Sequence, residues 1–550
     1  MRTTAAIAVL LLAVPGVVGA DVSSQLGVGY ICGAEHASPV ASLGAAVMMP
    51  GVGNGASPAD TRNAQAQAWY DEGLNLYHAF NHEEAKAAFA KAAALDPNCA
   101  LCEWGVALSL GPTLNYGVPS DQIALALGHA ERAKALLRPG DARAEGLIGA
   151  LLLRYGKDTP ETQRETLYGK AMDAMVRRYP ADDEVANLAA HTLLTPARHD
   201  DYSGVARAEA ILKVVLARKP DDTAAIHYYI HATEFAGHPA DALPYAQRLA
   251  GLTPNASHLV HMAAHTLMHV GEYEQVATVD AEALKVDAEV KASRAYPGAL
   301  SAQRYYLHNY NFGIGGALMS GDGPLALKFA DHAAVAFPAS VAPDRRAGAE
   351  SRALIAYGRF APARALAAPE AADDPRVVRL YRHYARGEAF AAQGDAAGVR
   401  LEAGAIAALG AEAAKAKDSE AADIAAIATD VLAGRAGLLA HKPAEAASAF
   451  ARAAARQEKA FPVDRRFDPP PWWYPVRRSL AAADLAAGKT ADAAREARAS
   501  LAAWPKDALA LRVLSLAEAR QGEAAAAHAH MTEARRDWHG DLKAMPLDLT

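Results

Sequence analysis

Residues 66–99 read AQAWYDEGLNLYHAFNHEEAKAAFAKAAALDPNC, and the spacing of their small and aromatic residues decides the fold. Numbered from Ala66, Gly73, Ala85, Phe89, Ala92 and Pro97 stand at positions 8, 20, 24, 27 and 32 of a 34-residue unit. Small residues at 8 and 20 let two antiparallel helices approach closely, an aromatic at 24 fills the remaining gap, and proline at 32 ends the second helix. Such a hairpin cannot bury its apolar face alone, so it has to stack on further copies of itself.

Copies follow at the same period. Pro220 to Pro254 is 34 residues, as is Gly237 to Gly271, and this phase places helical units at starts near 183, 223, 257 and 307. Further helix pairs are readable near 344–368, 375–410, 420–457, 472–503 and 507–538. The unit resembles the tetratricopeptide repeat, which implies an all-α, right-handed α-solenoid. The expected organisation is a leader over 1–20, an irregular segment over 21–62, a first array over 63–286, a middle array over 287–460 and C-terminal pairs over 461–550. Two irregular connections are expected, at 287–300 and at FPVDRRFDPPPWWYP (461–475), since three successive prolines cannot lie inside a helix.

The chain opens MRTTAAIAVLLLAVPGVVGA. Arg2, an apolar run, and Val18 and Ala20 before Asp21 predict a cleavable secretory leader cut after Ala20, hence a periplasmic or secreted protein. No other apolar run approaches the length of a membrane span. A net charge of −7 with interspersed signs gives no basic stripe and argues against nucleic acid as a partner. In an oxidising compartment Cys99 and Cys102 either pair as a small local disulfide, leaving Cys32 as the odd thiol, or stand as two buried thiols at a helix start, and the sequence leaves the pairing open. Walker, G-x-S-x-G, H-E-x-x-H and EF-hand motifs are absent from the sequence. GVGNGASP (51–58) and GGALMSGDG (315–323) lack the lysine and strand-to-helix setting of a phosphate loop and read as loop or close helix packing.

The chemistry lies in HLVHMAAHTLMH, residues 258–269. His258, His261, His265 and His269 fall at offsets 0, 3, 7 and 11, which on a helix of about 100° per residue share an arc of roughly 80°. As the repeat resemblance implies, positions 2, 5, 9, 12 and 13 of each first helix line the concave groove. The four histidines take positions 2, 5, 9 and 13 of the unit starting at 257. In the preceding unit His227, His231 and Glu234 take 5, 9 and 12, His191 takes 9 one unit earlier, and His308 takes 2 of the unit at 307.

An i, i+4 histidine pair can bind one transition metal, and His227/His231 and His261/His265 are two such pairs in identical register on adjacent helices. The expectation is that these four imidazoles close around one ion, with His191, His258 and His308 as further donors. Neutral nitrogens suit zinc or copper, and Glu234 would extend the choice to iron. With an open position, Glu234 is also the candidate general acid or base of a metal-dependent oxidoreductase or hydrolase acting on a small substrate. The alternative is a metal-free groove, lined also by Tyr228, Tyr305 and Tyr306, that holds a peptide or protein partner. Met262 and Met268 read as core.

FNHEEAKAAFAKAAALDPNCALCEWGVALSLGP (80–112), HYYIHATE (227–234), HLVHMAAH (258–265), YYLHN (305–309) and PPWWYPVRRSL (470–480) together resemble a group of exported bacterial tetratricopeptide proteins. The resemblance supplies architecture and suspect positions but no reaction. Ala263 and Ala264 stand where the group's pattern has Pro and Ser, and Thr113 where it has Asn. Trp472, Trp473, Tyr474 and Arg477 are expected to anchor one helical pair on the next, or else to close over a ligand by stacking.

Overall fold

The structure is a computed structural model that describes residues 46–115, 117–294, 305–371, 373–462, 469–540 and 542. Among the described residues every regular element is helical, and the helices pair in chain order. In the first five hairpins α1 (Ala64–His78) pairs with α2 (His82–Leu95), α3 (Ala100–Ser109) with α4 (Ser120–Ala135), α5 (Ala142–Tyr155) with α6 (Arg164–Arg178), α7 (Asp183–Leu194) with α8 (Val205–Arg218), and α9 (Thr223–Phe235) with α10 (Leu243–Leu252). The next first helix comes in two pieces, α11 (Ser257–His261) and α12 (Ala263–His269), facing α13 (Tyr273–Arg294). There follow α14 (Tyr306–Ser320) with α15 (Gly323–Ala336), α16 (Pro343–Phe360) with α17 (Pro362–Ala367), and α18 (Arg376–Ala392) with α19 (Ala396–Lys415). The array ends with α20 (Ser419–Leu439) and α21 (Pro443–Ala460), α22 (Val476–Ala486) and α23 (Thr490–Ala503), and α24 (Ala508–Gln521) and α25 (Ala524–Arg536). The all-α tetratricopeptide-like solenoid expected from the repeat is therefore the fold, and α7, α9, α11 and α14 begin within one residue of the predicted starts.

Local chemistry explains the punctuation. Asp182, Asp222 and Asp322 each accept the backbone N–H three residues on, at 3.0, 2.9 and 2.9 Å, capping α7, α9 and α15. Each such cap contributes about 1 kcal/mol. At the turn between the two helices of a hairpin the chain enters the left-handed region, and glycine supplies it at Gly237 (φ 81°), Gly271 (φ 79°) and Gly321 (φ 72°). The first hairpin has Phe80 (φ 60°) in that place. Close packing rests on the position-8 glycine: a Cβ on Gly73 would lie 2.7 Å from the Phe89 ring, and one on Gly105, in the next hairpin, 2.3 Å from it.

The structure differs from expectation between the first and middle arrays. The stretch 287–294 continues α13 instead of forming a connection, because it holds neither Gly nor Pro and Val286 and Val290 pack on Val260. A boundary at 286/287 thus falls inside a helix; residues 295–304 lie outside the described residues. The arrays also fold back on one another. Lys506 pairs with Glu272, the backbone N–H of His539 donates to Ser320 O at 2.8 Å, and Trp538 covers Gly321.

Around 469–475 the aromatic anchor reading holds. Trp472, Trp473 and Tyr474 are buried, Arg352 donates to the carbonyls of Pro469 and Pro470 at 3.1 and 2.8 Å, and Arg478 stacks on Tyr474 while it bonds Asp507 at 3.0 Å. Near the N-terminus, residues 46–63 form no helix and run as a strap: Asn54 Nδ2 donates to Asp221 O at 2.7 Å and Asn255 Nδ2 to Pro50 O at 2.7 Å. Cys99 and Cys102 are disulfide-bonded at the start of α3. The leader with its cut after Ala20, and Cys32, lie outside the described residues. No described helix is long and apolar enough to cross a membrane.

Candidate metal centre

The first helices of successive hairpins bring their histidines inward, and the rings meet each other and not solvent. His227, His231, His261 and His265 are 0 % exposed, and His191, His258 and His308 at most 5 %. The face expected to be open to a peptide or small substrate is filled here by the protein's own side chains.

The imidazoles also group differently from the single four-nitrogen set expected from the sequence. His227, His231 and His258 form one trio and His261, His265 and His308 a second, the candidate ligand atoms of each lying within 4.8 Å of one another. Each trio is an i, i+4 pair at positions 5 and 9 of one unit plus the histidine at position 2 of the next. The third candidate ligand of each pair therefore comes from the N-terminal turn of the following first helix. His258 and His261, both on α11, go to different trios, whereas His261 and His265 share one across the helix break at Met262, where φ and ψ stay helical at −55° and −26°. The break falls next to Ala263, where the resembled group has Pro.

Hydrogen bonds fix how these rings are presented. His227 Nδ1 lies 2.7 Å from the backbone carbonyl of His78. A carbonyl only accepts, so Nδ1 carries the proton and Nε2 is left as a lone pair. His261 Nδ1 lies 2.6 Å from Asp280 Oδ1 in the second trio. Nε2 of both residues, and both ring nitrogens of His258, are buried with no hydrogen-bond partner among the described residues. Buried polar atoms are nearly always partnered, and lone pairs that converge without donors form the arrangement a cation satisfies. His265 Nε2 and His308 Nε2 face each other at 3.2 Å.

Glu234 sits between the trios. Its Oε1 lies 3.1 Å from His265 Nδ1 and 3.0 Å from His269 Nε2, and its Oε2 lies 3.8 Å from His231 Nδ1. Both oxygens thus face ring nitrogens of histidines, which makes Glu234 an orienting carboxylate. Burial by itself would raise its pKa, but the facing His265, His231 and His269 imidazoles hold it well below the usual carboxylate range. Burial pushes His191, His227, His258 and His261 well below the usual imidazole value and lowers His231, so these rings are neutral at pH 7, the form in which imidazole ligates a metal. Burial raises Asp280 well above its ordinary value.

One phenylalanine roofs each trio. Phe80 lies 4.4 Å from His227 and 5.0 Å from His258 between ring centroids, and Phe312 lies 4.9, 4.7 and 5.0 Å from His261, His265 and His308. Tyr305 packs at 4.2 Å on His258. His191 stays out of both trios: its Nδ1 lies 3.2 Å from the Tyr77 hydroxyl. His78 bridges Tyr228 and Glu184 at 2.8 and 2.9 Å.

Sequence reasoning missed His78, Phe80, Asp280 and Phe312. For Phe80 a signal existed, since it holds the turn position that Gly237, Gly271 and Gly321 hold elsewhere. Asp280 lies on a second helix, where the repeat pattern expects packing residues and gives no reason to look. A third group, Glu209, His238 and Asp241, lies at the surface, with His238 3.4 Å from Glu209 and 3.2 Å from Asp241. Lys213 also pairs with Glu209, so this is a solvated ion-pair group.

No family model matches this chain, and no curated protein matches it. Solved structures do align. Human IFIT1 dimer with m7Gppp-AAAA is 12% identical over 80% of this chain and 89% of that one, with a TM-score of 0.31. The P58(IPK) TPR domain is 12% identical over 86% and 98%, with a TM-score of 0.24. Naa15/Naa10 bound to HypK-THB is 12% identical over 88% and 90%, with a TM-score of 0.21. At these scores the fold rests on the hairpin geometry itself.

Proposed function

We propose that this protein is an exported tetratricopeptide-like solenoid whose buried histidine core holds a transition-metal ion, copper or zinc in preference to iron. One observation carries the reading: His227 and His261 are each fixed through Nδ1 to an acceptor, so that an unpartnered Nε2 is presented inside a trio of imidazoles. Ligating histidines typically donate the other ring nitrogen to a carbonyl or carboxylate in this way.

The donor set supports the choice of metal. Each trio offers three imidazole nitrogens and no thiolate or carboxylate, which suits copper and zinc, whereas a non-haem iron site ordinarily takes a carboxylate oxygen. Both oxygens of Glu234 face ring nitrogens of His231, His265 and His269. A core closed by Phe80 and Phe312 suits holding an ion more than turning over a substrate. The leader supports export.

Metal analysis of untagged full-length protein, grown with trace copper, zinc and iron, tests the reading. Copper or zinc at one equivalent or more is expected, removable by a chelator and absent from the double variant His227→Ala/His261→Ala. Protein that is purified empty and takes up neither metal on dialysis overturns it. N-terminal sequencing of the exported chain should begin at Asp21.

A further inference from the structure

The trios are related by the repeat itself. Positions 5 and 9 of the unit at 223 with position 2 of the unit at 257 give His227, His231 and His258. One unit on, the same positions give His261, His265 and His308. Neither trio borrows a ligand from the other, and each is complete as a three-nitrogen set. They are also in ring contact, with centroids 5.5 Å apart for His231 and His265 and 5.9 Å for His258 and His261.

Resting on the metal reading above, we propose that the core holds two ions at once, one per trio, as an interacting pair linked through Glu234. The linkage is visible in the placement of the carboxylate, 3.1 Å from His265 Nδ1 and 3.8 Å from His231 Nδ1. The carboxylate faces Nδ1 of His231, a ligand of the first trio, and Nδ1 of His265, a ligand of the second. One anion therefore orients a donor for each ion and lies between them. Two cations this close, in a core roofed by Phe80 and Phe312, repel each other with little screening, and Glu234 offsets part of that repulsion. The second ion consequently binds more weakly than the first, and removing either trio strengthens binding at the one that remains.

The trios differ in their surroundings, so the two ions are distinguishable. The first trio is held by a backbone carbonyl, that of His78, and the second by the Asp280 carboxyl group. Backing by a backbone carbonyl in one trio and by a carboxyl group in the other gives the two sites different affinities.

Titration of metal-free full-length protein with cobalt(II) and zinc, by calorimetry and cobalt ligand-field absorption, tests this. Wild type is expected to take two equivalents in two resolved steps. His258→Gln and His308→Gln, which remove the position-2 donor from the first and second trio respectively, should each take one equivalent. The equivalent left in whichever of these two variants keeps the weaker site should bind about tenfold tighter than the weaker step of wild type. Glu234→Gln should still take two, each weakened by about 10- to 100-fold, the range for loss of an orienting partner. Thermal melts of the metal-free variants confirm folding, and His227→Gln and His261→Gln serve in place of any variant that fails them. A single wild-type equivalent, abolished alike by His258→Gln and His308→Gln, overturns the pair while leaving metal binding intact. Two equivalents whose affinities ignore the loss of the other trio overturn the interaction. No uptake in wild type refutes the metal reading itself.

Discussion

Asp280 Oδ1 stands 2.6 Å from His261 Nδ1, both side chains fully buried, with the carboxyl carried on α13 and the imidazole on α11. The pair turns a ring that could rotate into one with a fixed Nε2. Asp280→Asn is expected to weaken metal binding at the second trio by about 10- to 100-fold while the first trio keeps its affinity. Competitive zinc titration against a chromophoric chelator reads both sites, and equal losses at the two would contradict the assignment.

Phe80 occupies a left-handed turn position at a cost of about 1–2 kcal/mol, and only its burial against His227 and His258 sustains it. Phe80→Gly removes that strain and also the ring, whose loss from a packed core costs about 3–5 kcal/mol. A net destabilisation of about 2 kcal/mol is expected from urea unfolding of the metal-free protein. A variant as stable as wild type would show that the roof contributes nothing.

Gly271 and Gly237 have the same turn geometry and different neighbours. A Cβ on Gly271 would sit 2.1 Å from Pro505 O, whereas one on Gly237 meets nothing within 4 Å. Gly237→Ala should cost only the left-handed penalty of about 1–2 kcal/mol. Gly271→Ala should cost more, and in addition release the C-terminal hairpins, seen as faster proteolysis beyond residue 461. Equal effects would mean that the fold-back of the last hairpins is not present in solution.

The histidine core makes stability fall in acid. His191, His227, His258 and His261 have folded pKa values held well below the unfolded value of about 6.5, so the unfolded chain binds more protons in that interval. Their contribution is fully present above pH 6.5 and is lost as pH falls toward the folded values, by at most about 1.4 kcal/mol per pH unit for each. Asp280, raised by burial, and Asp287, raised to about 7, act in the opposite sense below neutrality but are fewer. Thermal midpoints of metal-free protein should therefore drop between pH 7 and 5. A flat or rising profile would contradict neutral buried imidazoles.

The hairpins were legible because their determinants are local. Gly73 against Phe89 is a contact written into one 34-residue unit, Pro220 and Pro254 end second helices by their own covalent geometry, and the Asp caps need only three residues of context. Positions 5 and 9 likewise name His227, His231, His261 and His265 as sharing a face. The α13 extension through Arg294 was misjudged because the contact that keeps it helical, on Val260, comes from another helix.

By itself, then, the sequence determined the periodic helical stack and the inward row of imidazoles, since periodicity and helix geometry act within one unit. Only the tertiary structure decided which rings meet. The stagger of one first helix on the next divides the row into two trios and brings Glu234 between them. Packing of distant segments, with Phe80 from the first turn, the His78 carbonyl from α1 and Asp280 from α13, closes the groove over those trios, and no spacing within a repeat encodes contacts across such separations.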